Sequence, residues 1–290
     1  IGTKCNRSAY FLTRASVFNK PVIAKILESL QMLPVYRIRD GWGNLENNNA
    51  IFESCSKLLN NNECIVIFPE GNHSLERTVR PFSKGFTRIV LDTLESYPEL
   101  DLQLLPVGLN FVKAENFPDS ASIYFGKPIS AKNYISENKN DDVVRLKTKL
   151  QAEIGALTTH IPKANYQDNL NNLERLNVDF LNPKAVNKCM ANQFQDCNSI
   201  NTNSNSFYRP VFKILFIIAF ILPYLVWKFV AKPKIKEIEF RSTFRFAMAI
   251  TLAPLWLIMV CVTLAILFGW KVAVVYLITS LIITLLAVKL

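Results

Sequence analysis

The sequence predicts an α/β fold, a mostly parallel sheet flanked by helices, continued by a helical extension and a C-terminal membrane region. Three observations carry this reading. Short apolar, partly β-branched runs alternate with helix-length amphipathic segments, the pattern of crossover connections between neighbouring strands. One such run, Cys64–Phe68, stops abruptly at a Pro-Glu-Gly turn. Residues 207–290 hold three long apolar runs, with ten Lys and Arg against two Asp and Glu. The expected division is an α/β domain over residues 1–130, a helical extension and Asn-rich linker over 131–206, and a transmembrane region over 207–290.

Ala9–Thr13 reads as the first strand. Asn19-Lys-Pro21 then opens a helix that places Val22, Ile23, Ile26, Leu27 and Leu30 on one face. The second strand is Leu33–Arg37, begun at a proline, and its alternation sends Arg37 and Arg39 to the same side. Past the Gly41-Trp-Gly43 turn, Ile51, Phe52, Cys55, Leu58 and Leu59 recur at helical spacing within Asn47–Leu59. Strand three, Cys64–Phe68, is apolar on both faces and is expected between two helix layers. A helix over Ser83–Tyr97 buries Phe86, Ile89, Val90 and Leu94. Strands four and five are Leu102–Leu109 and Ser122–Ile129.

Beyond residue 130 the character changes. Asp141–Leu157 and Tyr166–Leu181 read as polar, partly amphipathic helices, and Asn182–Asn205 as a linker. His160, between them, is expected to be structural. The apolar runs are Val211–Val230, Phe246–Trp270 and Val272–Val288, and the second and third are long enough to cross about 30 Å of hydrocarbon. Pro223, near the middle of the first, favours a kink or a re-entrant turn. The segment Lys228–Arg245 carries six Lys and Arg against Glu237 and Glu239, which places it in the cytoplasm by the positive-inside tendency. Runs two and three then form a hairpin with Gly269-Trp-Lys271 on the far side; three full spans is the alternative.

The chemistry centres on the turn after strand three. Pro69 cannot donate to a ladder, so pairing ends there. Glu70 is held at the strand's carboxyl end, the edge at which open α/β sheets bind ligands, and Gly71 permits a sharp turn or close approach to a substrate. Arg77, Arg80, Lys84 and Arg88 follow, leading into a helix. Such cations beside helix-start amides make a seat for a phosphate.

Phe68-Pro-Glu-Gly-Asn-His-Ser74 resembles the Phe-Pro-Glu-Gly-Thr-Arg-Ser block of the glycerophospholipid acyltransferase family. Leu33-Pro-Val-Tyr-Arg-Ile-Arg39 resembles the family's upstream block with its phosphate-binding arginine, and Leu104-Leu-Pro-Val-Gly108 its downstream strand with a central proline. The resemblance implies that Glu70 and Gly71 shape the acceptor site beside the catalytic machinery. It further implies that Arg37, Asn72, His73, Ser74 and Pro106 bind substrate. Asn72-His73 stands where the family usually has Thr-Arg, so Arg80 or Lys84 is expected to replace a phosphate ligand. The family's catalytic His-x-x-x-x-Asp motif is missing. This chain has only His73 and His160, neither with an aspartate at that spacing. The expectation is therefore an N-terminally truncated fragment whose base and orienting aspartate lie upstream of Ile1, inactive as it stands.

Composition narrows the partners. Most of the net charge of +10 belongs to the hydrophobic C-terminal part, which fits an anionic membrane surface rather than nucleic acid, and no nucleic-acid motif is present. The six cysteines form no Cys-x-x-Cys pair and have no histidine at zinc-ligand spacing, which argues for a reducing compartment. Cys189 and Cys197 are close enough in sequence to pair, although the unpaired reading is favoured.

The expected function is transfer of a fatty acyl group from an acyl thioester to a hydroxyl of a lysophospholipid or glycerol 3-phosphate in phospholipid biosynthesis. No metal or tightly bound cofactor is needed; the thioester of coenzyme A or acyl-carrier protein is a co-substrate. The partners are membrane lipids and the acceptor, with acyl-carrier protein as one of the two candidate donors. The chain is expected to be an integral membrane protein with its catalytic domain on the cytoplasmic face. The alternative is a non-catalytic membrane lipid-binding or scaffold protein that retains the phosphate site. Ser74 as a nucleophile is rejected, because no Gly-x-Ser-x-Gly elbow is present.

Overall fold

A computed structural model describes residues 8–36, 46–199, 208–235 and 237–289. The chain divides into two compact units, one of residues 1–110, 122–171 and 182–193, the other of residues 111–121, 172–181 and 194–290.

The first unit is built on a parallel sheet of β1 (Ala9–Arg14), β2 (Met32–Val35) and β3 (Cys64–Val66), in the order β2-β1-β3. Helix α1 (Pro21–Ser29) joins β1 to β2, and α2 (Asn47–Asn60) precedes β3. Because the strand order reverses direction between these crossovers, right-handed connections put α1 on one face and α2 on the other. One core lies on the α2 face. Phe52, Cys55 and, from α3 (Gly85–Ser96), Ile89 pack there against Leu12, Leu33, Ile65 and Ile67. The Ser56 and Thr93 hydroxyls meet at 2.9 Å inside the α2–α3 contact. A second core joins Phe82, Phe86, Val90 and Leu94 to Leu146 and Leu150 of α4 (Lys139–Leu157).

Neither face of these strands is fully covered. Phe11, in register with both Met32 and Val66, is half-buried, as are those two and, on the α2 face, Leu12, Leu33 and Ile65. This corrects the expectation that strand three is buried between two helix layers. It also ends earlier, at Val66, with Phe68 largely exposed.

The parallel sheet is shorter than the sequence implied. The expected fourth strand breaks at Leu105-Pro106 into β4 (Gln103–Leu104) and β5 (Val107–Phe111). β4 pairs antiparallel with β7 (Ile129–Ser130), and β5 pairs with β6 (Ala121–Phe125). The expected strands four and five thus form two small ladders outside the parallel sheet. Proline supplies the break, since it offers no N–H to a ladder, and its carbonyl accepts from Gly126 N at 2.9 Å.

The extension is more ordered than a linker. After α4 comes α5 (Tyr166–Arg175), which stops six residues short of the expected Leu181. A further helix, α6 (Pro183–Ala191), occupies the stretch read as Asn-rich linker. The Asn182 side chain caps the Ala185 N–H, Pro183 takes the first turn, and Val186 and Cys189 are buried. Cys189 and Cys197 are disulfide-bonded, against the unpaired reading of the sequence.

In the second unit, the first apolar run is not one helix. α7 (Tyr208–Ala219) and α8 (Ile221–Leu225) meet at a bend of 100°, and α8 continues through a π-helical stretch, Val226–Ala231, into α9 (Lys232–Lys234). The bend frees the Ala219 carbonyl, which accepts from Trp256 Nε1 at 2.9 Å and Tyr276 Oη at 3.1 Å. α10 (Arg241–Phe268) and α11 (Trp270–Lys289) are joined through Gly269 at φ +88° and pack along each other. Both are long and apolar enough to cross a membrane.

Candidate active site

Strand β3 delivers the chain into the turn Phe68–Gly71. The Gly71 N–H donates to the Phe68 carbonyl at 3.2 Å, and Gly71 takes φ +66°, a left-handed value that favours glycine. The Ser83 N–H donates to the Pro69 carbonyl at 2.7 Å, so the whole loop from Glu70 to Phe82 closes back on its own start.

Glu70 is fixed inside that loop by Arg80. The Arg80 backbone N–H donates to Oε1 at 3.3 Å, and Nε and Nη2 donate to Oε2 at 3.1 and 2.8 Å. The same Nη2 reaches the Asn72 carbonyl. The two side chains keep only 30% and 18% of their exposure, so this charge-assisted pair is partly shielded from water. Arg80, read from sequence as a candidate phosphate ligand, thus uses Nε and Nη2 to set the carboxylate and the turn.

Asn72, His73 and Ser74 lie exposed on the same loop, and Ser74 Oγ accepts from the Glu76 N–H at 3.1 Å. Lys84 is exposed at the N-cap of α3, next to the closing Ser83. Arg88 belongs to a different surface, donating to Asn49 Oδ1 at 3.1 Å and lying over the Phe52 ring. Pro106 is buried at the β4–β5 break. Arg37 and Arg39 fall outside the described residues. The structure therefore gathers Glu70, Gly71, Asn72, His73, Ser74 and Arg80 in one clamped loop, with Lys84 at its exit. Among the described residues, no three His, Cys, Asp or Glu side chains are grouped to hold a metal ion.

The grip on the far side of the loop was not legible in sequence. The Arg77 N–H donates to Tyr166 Oη at 2.9 Å, and the Ile161 N–H to the Arg77 carbonyl at 2.7 Å. Thr78 Oγ1 donates to the Ile161 carbonyl at 2.6 Å, and the Val79 N–H to His160 Nδ1 at 3.0 Å. As an acceptor there, His160 carries its proton on Nε2. Asn187 of α6 holds this segment in turn: its Oδ1 accepts from the His160 N–H at 3.0 Å, and its Nδ2 donates to the Gly155 and Thr158 carbonyls at 3.1 and 2.9 Å. His160 is structural, as expected, but what it supports is the segment leading to Arg80. Its contact with Val79 spans 81 residues of chain, beyond the reach of any local pattern.

Comparison with known proteins agrees with the motif. The acyltransferase family profile matches residues 2–110. Over 80 residues, 28% of this chain and 12% of the relative, the sequence is 32% identical to an uncharacterized acyltransferase of Schizosaccharomyces pombe. It is 25% identical over 118 residues to glycerol-3-phosphate O-acyltransferase 1 of Saccharomyces cerevisiae, covering 39% of this chain and 16% of that one. With glycerol-3-phosphate O-acyltransferase 2 of the same yeast the identity is 24% over 120 residues, 40% of this chain and 16% of the relative. The matched stretch is thus less than a fifth of each relative's length. No solved structure matches the chain. On its motif and these matches, the segment of residues 2–110 is similar to acyltransferases, the two yeast glycerol-3-phosphate O-acyltransferases among them.

Proposed function

We propose that this chain is part of an O-acyltransferase that moves a fatty acyl group from an acyl thioester to a hydroxyl of glycerol 3-phosphate or a lysophospholipid. The observation that carries the reading is the Glu70–Gly71 turn, held by Arg80 at the carboxyl end of a parallel strand within a segment matched to acyltransferases. In this reading Glu70 is a positioning carboxylate whose charge is already partnered. The exposed side chains of Asn72, His73, Ser74 and Lys84 offer donors to an anionic acceptor, with Arg37 as a further cation. The proton from the attacked hydroxyl goes to the histidine of the family's His-x-x-x-x-Asp motif, which residues 1–290 do not contain. The thioester comes from coenzyme A or acyl-carrier protein. The bend at Phe220 supports a re-entrant α7–α8 pair; with the basic segment Lys228–Arg245 in the cytoplasm, the acyltransferase unit then also lies on the cytoplasmic side. A scaffold that has lost its chemistry is the less favoured reading, since the relatives with a stated activity are acyltransferases.

The test is acyl transfer from labelled acyl-coenzyme A by the complete gene product, with glycerol 3-phosphate and lysophosphatidate offered separately. Transfer to one of them, absent from residues 1–290 alone, is the expected result. A folded complete protein that acylates neither acceptor overturns the proposal.

A further inference from the structure

Helix α1 departs from the burial rule that the other helices of its unit follow. It contains no buried residue, and Val22, Ile23, Ile26 and Leu30 are 70, 41, 54 and 57% exposed. At the helical repeat these four fall within one arc about 100° wide, the width of a core-facing stripe. Among the described residues its main packing partners are β2 and the 3-10 turn Ala15–Phe18. Val17 of that turn, 42% exposed, extends the apolar surface. Isolated exposed aliphatics need no explanation, but a contiguous stripe marks an interaction surface.

The composition of the stripe indicates what covers it. It is aliphatic, with no aromatic or arginine anchor of the kind that dominates protein interfaces. Lys20 and Lys25, both exposed, lie at its two rims, and Glu28 lies on the opposite side of the helix. Lysine is depleted at protein interfaces. It is favoured where an apolar helix face sinks into the headgroup boundary while long side chains reach up to phosphates. The same chain carries two helices long and apolar enough to cross a membrane, so a bilayer is the apolar phase at hand. We propose that α1 is a lipid-docking helix: its Val22–Leu30 face lies in the headgroup boundary of an anionic bilayer, with Lys20 and Lys25 among the headgroup phosphates. The inference does not depend on which acceptor is acylated.

The full chain is reconstituted in vesicles of phosphatidylcholine, with and without phosphatidylglycerol, carrying a nitroxide through Val22→Cys, Ile26→Cys or Glu28→Cys. Cys5, Cys64 and Cys261 are replaced by alanine; Cys55 stays, because burial pushes its thiol up to about 11 and keeps it unreactive. No α1 side chain belongs to the core, so these variants retain the fold, and an unchanged thermal melt checks it. Docking predicts that dissolved oxygen relaxes labels at 22 and 26 more than a water-soluble nickel chelate does, with the order reversed at 28. Lys20→Glu with Lys25→Glu lowers the oxygen preference at 26 in phosphatidylglycerol vesicles. Nickel access at 26 equal to that at 28 means the face is in water and overturns the proposal. A label at 26 reached by neither relaxant means protein covers it, and overturns it equally. An oxygen preference unmoved by the lysine changes or by phosphatidylglycerol removes the headgroup contact and with it the anionic docking proposed.

Discussion

At Arg80 one guanidinium reaches both the Glu70 carboxylate and the Asn72 carbonyl, so a lysine there keeps the charge and loses the fork. Arg80→Lys is expected to lower kcat/KM of the complete enzyme roughly tenfold to a hundredfold, the equivalent of one charge-assisted bond of about 1.5–3 kcal/mol. Lys84→Gln should instead raise KM for a phosphate-bearing acceptor and leave kcat alone. Steady-state kinetics with varied acceptor separate the two; equal effects from both substitutions would mean Arg80 also touches the phosphate. Asp142 offers a pH test. Burial raises its pKa, but hydrogen bonds from the Ser136 side chain and backbone and from Arg145 outweigh that and hold it below the usual carboxylate range. The sign follows: its contribution is present above the unfolded value of roughly 3.9 and is lost as pH falls through the folded value. Asp142→Asn should lower the thermal midpoint at neutral pH and narrow the gap to the parent below about pH 4. At this scale Glu70 and Gly71 were readable, since a strand end and a proline fix where they stand. The partner of Glu70 was not, because Arg80 lies ten positions further along the chain and a charge run does not say which cation turns inward.

Elements meet closely at Gly108, where an added Cβ would lie 2.2 Å from the Leu157 carbonyl oxygen at the end of α4. Gly108→Ala must push backbone aside and should destabilise the first unit by about 1–3 kcal/mol. Gly126→Ala meets only the Leu157 Cδ1 and Pro106 atoms at 3.1 and 3.4 Å and should cost less; a urea titration of both variants in detergent gives the order. Tyr166→Phe removes the acceptor of the Arg77 N–H. Amide exchange at Arg77 should speed up while the α3 core stays protected, and unchanged exchange would show that the extension does not hold the loop. The sequence told helix from strand wherever the apolar period was long, as in α2, α3 and α4. It under-read α6, whose Asn182-Pro183 start was present but whose apolar positions, Val186 and Cys189 among them, are too few to announce a helix. It over-read strand four, because an apolar run does not reveal that β4 and β5 take different partners on either side of Pro106. The apolar face of α1 was legible; its exposure was not, because periodicity identifies a face and not what lies against it.

For the whole molecule, charge and the bend at Phe220 together favour a re-entrant α7–α8 pair followed by the α10–α11 hairpin. Single cysteines at Lys234 and Lys271 in sealed vesicles with the cytoplasmic face outward should report this with a membrane-impermeant thiol reagent: 234 labels at once, 271 only after detergent. The reverse pattern would favour three spans. The division of the chain into units carries a different consequence. Residues 111–121 and 172–181 belong to the same unit as residues 194–290. The Ala114, Glu115 and Asn116 carbonyls accept from Ser242 and Arg245 of α10, and Phe117 lies beside Phe216. The polypeptide therefore passes from one unit to the other several times, and no single cut in the gene frees either. Ending the chain at residue 206 would strip that loop of its bonding partners and leave Phe117 bare. The membrane helices are thus tied to residues 111–121 as one unit, and removing them is expected to unsettle a stretch of chain that lies between two strands of the other unit.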